Sequence, residues 1–138
     1  MSQSNTREGA FVVLAGEALT DKEGYLVKMT HDTGVPEVKL PAAITDVAPY
    51  VVIEGGADAA KVVVAPLTPG RSVRLSLKGT CNPGDQLVLA DTGDFGKVRT
   101  LPTAAGTYRV IAIAEEAGVD TQLVLARPCE VGNVTVTE

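Results

Sequence analysis

The chain has 138 residues, 45% of them apolar, and carries a formal net charge of −5. That length suffices for one compact domain with its own core, and the apolar share excludes a largely disordered chain. The acidic balance and the absence of any strongly basic stretch disfavour nucleic acid as a partner, because such binding draws most of its affinity from neutralised phosphates.

Residues 1–10 are small, polar or charged and predict a flexible N-terminal arm. They hold no apolar h-region and do not read as a signal peptide. Order is expected from Phe11, where Phe11-Val12-Val13-Leu14-Ala15 reads as a strand. Further strands are predicted at about 24–30, 35–40, 50–54, 61–66, 72–77, 86–90, 96–100, 107–114, 121–127 and 133–137. Each is short, rich in Val, Leu or Ile, and bounded by Gly, Pro, Asp or Asn. No useful window carries apolar residues at helical spacing with a cap at each end, and Pro41–Val47 could form one helical turn at most. The longest apolar runs are far too short to span a bilayer, so no membrane partner is expected.

The order of elements recurs along the chain. Leu40-Pro41-Ala42-Ala43 returns as Leu101-Pro102-Thr103-Ala104, and Leu26-Val27 as Leu87-Val88, at a shift of 61 positions. A shift of 62 then pairs Asp58 with Asp120, Pro66 with Pro128 and Gly70 with Gly132. The predicted architecture is one all-β domain over 11–138, a compact barrel or sandwich of two pseudo-repeated β units, roughly 11–75 and 76–138.

Two Asp-Thr-Gly triplets, Asp32-Thr33-Gly34 and Asp91-Thr92-Gly93, raise the question of an aspartic-protease-like pair of carboxylates sharing a proton. The residues around them argue for hairpin turns instead. Val35-Pro36-Glu37 and Asp94-Phe95-Gly96-Lys97 return the chain to solvent, and Asp and Gly are the residues that open and close a tight turn. His31, the single histidine, reads as an exposed turn residue beside Asp32. Cys81 and Cys129 form no CxxC pair and read as two thiols in a reducing compartment, a single disulfide between them being the alternative. No cluster of His, Cys or carboxylates has metal-ligand spacing, Gly55-Gly56-Ala57-Asp58 lacks the following Lys of a phosphate loop, and no cofactor is expected. The expectation is therefore a protein that is not an enzyme.

The polar arm, Gly16-Glu17-Ala18-Leu19 leading into Gly24-Tyr25-Leu26-Val27-Lys28, and the stretch from Lys78 through Pro83-Gly84-Asp85 to Gln86-Leu87-Val88-Leu89 together resemble the phage capsid decoration (head cement) proteins with a β-tulip-like domain, as on lambda-type heads. The resemblance implies a homotrimer on the outer surface of the virion that binds the major capsid protein and stabilises the shell. It also implies that the arm residues Ser2, Gln3, Ser4, Asn5, Thr6, Arg7 and Glu8 lie on the capsid. The alternatives are another phage or bacterial structural β-barrel module, from a tail or baseplate, and, last, a hydrolase using Asp32 and Asp91.

Overall fold

The branched aliphatics form ten strands in the computed structural model, which describes residues 9–91 and 93–137. In chain order these are β1 (Phe11–Ala15), β2 (Leu26–Thr30), β3 (Glu37–Lys39), β4 (Tyr50–Glu54), β5 (Lys61–Pro66), β6 (Val73–Ser76), β7 (Gln86–Leu89), β8 (Val98–Thr100), β9 (Gly106–Ala114) and β10 (Leu123–Val136). No helix occurs among the described residues. Pro41–Val47 makes bends and turns rather than a helical turn, because the Asp46 carboxylate accepts the backbone N–H groups of Ala42 and Ala43.

The first five strands close into a barrel in the order β1-β3-β2-β4-β5, with β5 returning antiparallel to β1. Alternation along each strand gives the barrel two apolar surfaces. Val27, Val38, Val52, Val62 and Val64 fill its interior, with the Phe11 and Tyr50 rings packed against that core edge-on at 5.5 Å. Leu26, Val51 and Ala65, each next in sequence to one of these, belong instead to the core of the other half.

The last five strands form a sheet in the order β6-β10-β9-β7-β8. Walking round the barrel from β1 gives β1-β5-β4-β2-β3, so the second sheet has the same neighbour sequence five strands later. The turns match as well. Leu19 N–H bonds to Gly56 O at 2.8 Å, and Cys81 N–H to Gly118 O at 3.1 Å, 62 residues on. Ala15 N–H to Ala60 O and Leu77 N–H to Gln122 O are related in the same way, and both turns hold a non-glycine residue at positive φ, Ala59 at 66° and Thr121 at 70°.

The two units differ at one seam. In the barrel, β1 runs parallel to β3 through Leu14↔Glu37 and Ala15↔Val38. Among the described residues the corresponding edges meet through one parallel bridge, Leu77, just after β6, with Val98 of β8. Residues 24–26 of the first unit occupy the opening. Ser76 donates its N–H to Gly24 O at 2.9 Å, and Leu26 donates to Gly96 O at 2.7 Å. Main chain from one unit thus bridges the bare edges of the other, which disposes of backbone groups that burial would otherwise leave unpaired.

Glycine is required on both sides of this bridge. Gly24 (φ +84°) is packed so tightly against Leu123 that a side chain would collide with it, and at Gly96 (φ +96°) a Cβ would stand 2.8 Å from Leu40 Cδ2 and 3.0 Å from Tyr25 Cδ2. The stretch read from sequence as two strands, 121–127 and 133–137, is the single strand β10. Its register against β9 shifts between Pro128 and Gly132, so the proline without an N–H and the glycine at φ 85° mark a bulge rather than a break.

Candidate docking surface

The arm residues Ser2, Gln3, Ser4, Asn5, Thr6, Arg7 and Glu8 lie outside the described residues. The chain enters β1 at Phe11, whose ring meets that of Tyr50, and Tyr50 follows Pro49. Pro49 belongs to the wall of a cleft of about 480 Å³. The wall is completed by Val47 and Leu67 from the first unit and by Ile111, Pro128 and Asn133 from β9 and β10. Pro49 O accepts from Leu67 N–H at 2.8 Å, which fixes the first unit's side of the cleft. On the other side the β10 bulge bends the wall, and the partly buried Cys129 lines it there. Val47 is 53% exposed at the rim.

Asp32, Thr33 and Gly34 sit in the hairpin between β2 and β3, and Asp91 and Gly93 in that between β7 and β8. Asp32 is exposed and pairs with Lys39 at 3.0 Å. Asp91 is bound by Lys78 at 2.6 Å and Arg99 at 3.4 Å. The hydrogen bond from Lys78, followed by the charge of Arg99, holds the Asp91 carboxyl below its ordinary value. A proton-sharing pair would raise one carboxyl through like-charge repulsion, and here the neighbours of Asp91 are cations. The same lysine reaches Asp94 at 3.0 Å, which Lys97 also approaches at 3.3 Å, and Asp94 is lowered with Lys78 as the main cause. These ion pairs staple a turn. His31 is exposed, and its carbonyl accepts Gly34 N–H in the first hairpin.

Cys81 is buried in the second core, and desolvation raises its thiol pKa. Among the described residues no group of three His, Cys, Asp or Glu side chains is placed to hold a metal ion. Glu115 and Glu116 serve the outer face of the second unit. Glu115 takes a hydrogen bond from Ser72 Oγ and pairs with Arg127, while Glu116 accepts Leu125 N–H and pairs with Arg74 at 2.6 Å.

Beyond the bulge, β9 and β10 continue as a two-stranded ribbon. Val110 opposes Gly132, Tyr108 opposes Val134 and Gly106 opposes Val136, which puts Tyr108, Val134 and Val136 on one face. Thr107, Arg109, Asn133 and Thr135 take the other face and are exposed. Among the described residues, β6 pairs with β10 only at Leu123–Ala126, and β7 reaches β9 only as far as Val110. Neither the cleft nor the ribbon was read from sequence. The signal for both is Pro128 and Gly132 inside a Val- and Thr-rich strand.

Together these features define an all-β fold of two five-stranded units, one a closed barrel and the other completed by it. The N base of the head fiber gp8.5 of bacteriophage phi29 has a similar fold. Its crystal structure matches with a TM-score of 0.67 at 18% sequence identity, over 94% of this chain and 97% of that one. No protein-family model matches the chain, and no curated protein matches it.

Proposed function

We propose that this chain is a structural, non-enzymatic protein of a phage head, which binds the outer surface of the capsid as a homotrimer and stabilises the shell. The observation that carries this reading is the end-to-end likeness to a phage head-fiber base, in which nearly the whole of both chains is matched. The ion-paired aspartates support it, since neither triplet is arranged as a catalytic dyad. The matching strand orders and turn bonds support treating 11–75 and 76–138 as pseudo-repeats.

In this reading Ser2, Gln3, Ser4, Asn5, Thr6, Arg7 and Glu8 lie along the major capsid protein, and their main chain adds to an exposed sheet edge there. Ordering such a segment costs about 1–2 kcal/mol per residue, so one arm binds weakly. Three arms on one trimer make the later contacts intramolecular and raise avidity by roughly 10²–10⁴. A trimer bridging several capsid subunits stabilises only the shell that presents the complete site.

The test is co-sedimentation with bare expanded capsids of the cognate phage. Binding by the full chain that is lost on deletion of residues 1–10 supports the proposal. Unchanged binding after that deletion removes the arm from it, and failure of the full chain to bind rejects the capsid reading.

A further inference from the structure

We propose that the β9–β10 ribbon is the seam between copies of this chain: the edge of β9 at Gly106–Arg109 in one copy pairs antiparallel with the edge of β10 at Gly132–Val136 in the next. The inference rests on the homotrimer reading above and supplies the surface that makes it.

The first ground is the unpaired backbone. Over these residues β9 and β10 pair with each other and, among the described residues, with no third strand. An isolated two-stranded ribbon is marginal in water, and its edges are templates for another strand. The other exposed seam in the fold, between β6 and β8, is already filled by residues 24–26.

The second ground is charge. The chain carries −5 overall, so two copies repel at long range. The ribbon is nearly uncharged: Thr100–Tyr108 and Val131–Thr137 hold no Asp, Glu, Lys, Arg or His, and the one charge on the β9 edge is Arg109 at its inner end, opposite Asn133. Protective edges in monomers carry charge or proline, and the β10 edge past Gly132 has neither. The uncharged Val/Thr edge of β10 suits the β9 edge of another copy, whose outer residues Gly106, Thr107 and Tyr108 are also uncharged, better than it suits a strongly charged partner.

The third ground is geometry. The two edges belong to antiparallel strands, so β9 of one copy meets β10 of the next in antiparallel pairing when the ribbons stand around a common axis. Such a head-to-tail contact forms a ring where the rotation closes. Three ribbons give a six-stranded ring, with the Tyr108, Val134 and Val136 face turned to the axis and the Thr107, Arg109, Asn133 and Thr135 face to water. The Tyr108 ring lies across Gly106, with its hydroxyl donating to Ala104 O at 3.1 Å.

The experiment is light scattering of the full chain after size exclusion, comparing wild type with V134K/V136K and with V12K. Val12 is 60% exposed on β1, which pairs with β3 and β5 and not with a ribbon strand. Wild type and V12K are expected at about three times the protomer mass, and V134K/V136K at the protomer mass with its thermal transition retained. A wild-type monomer at every concentration, or a V134K/V136K trimer, overturns the inference. If the double variant does not fold, hydrogen exchange on wild type decides. Protection of amides 106–109 and 132–136 that rises with concentration supports the seam, and protection independent of concentration overturns it. Capsid binding is scored separately. A wild-type monomer that still binds capsids ends this inference and leaves the head-protein reading, whereas a ribbon-dependent trimer that ignores capsids does the reverse.

Discussion

The backbone of Leu26 donates a 2.7 Å hydrogen bond to the carbonyl of Gly96, and through it the first unit completes the second. With the matching bond from Ser76 to Gly24, this ties residues far apart in sequence by main chain alone. Leu26 is also fully buried in the second core, so the same residue seals the seam and packs beneath it.

Gly96→Ala is expected to destabilise the protein by about 2–4 kcal/mol, combining the left-handed φ with overpacking. Gly34→Ala is the control. Its φ is +87°, and a Cβ there meets nothing within 4 Å. It is expected to cost only the conformational part, about 1–2 kcal/mol. Urea unfolding of the two variants measures the difference, and equal losses would show that the close approach at Gly96 is unimportant.

The second unit is expected not to fold without the first. A fragment of residues 71–138 lacks Gly24–Leu26 at its seam and loses Leu26, Val51 and Ala65 from its core. Burying Leu26 alone is worth roughly 1.5–3 kcal/mol. Circular dichroism should show no cooperative melt for this fragment, and one should return when residues 1–70 are added in trans. A sharp melt of the isolated fragment would contradict the interlock.

Stability should hold through neutral pH and fall on the acid side. Asp46, Asp91, Asp94, Glu115 and Glu116 all have lowered pKa values. Lowered carboxyls stabilise the fold above their unfolded pKa, about 4, and that contribution disappears as pH falls through the still lower folded values. Lys39 and Lys78 are raised, by Asp32 and by Asp91 with Asp94, so their contribution is complete below about pH 10 and is lost as pH rises through the folded values. The thermal midpoint measured across pH should show a plateau with two falling limbs. Asp46→Asn should flatten the acid limb, because the Ala42 N–H and Lys28 then bind a group that does not titrate.

The strands were legible because Val and Ile runs of four to six residues between Gly, Pro and Asp have few other conformations open to them. Lys61–Pro66 shows this: KVVVAP places Val62 and Val64 inside and Lys61 in water. Pro128 and Gly132 look like terminators and predict two strands where β10 is one, because a neighbour such as β9 can carry a strand across a bulge. The seam was not legible at all. It depends on main-chain groups of Gly24, Leu26, Ser76 and Gly96, and hydrogen bonds between backbones leave no side-chain pattern beyond the glycines themselves. The arm was read from its polarity, a property of composition that says nothing of where it goes. The ribbon depends on which strands lack neighbours, and topology alone decides that.

The seam also gives the chain a direction of construction. Residues 24–26 leave the ribosome well before residues 73–98, and the barrel that holds them contains its own core and its own closure. When β6 to β8 emerge, the whole of the segment that forms the barrel is already outside, so the later half has a surface to assemble onto instead of exposing raw strand ends to other nascent chains.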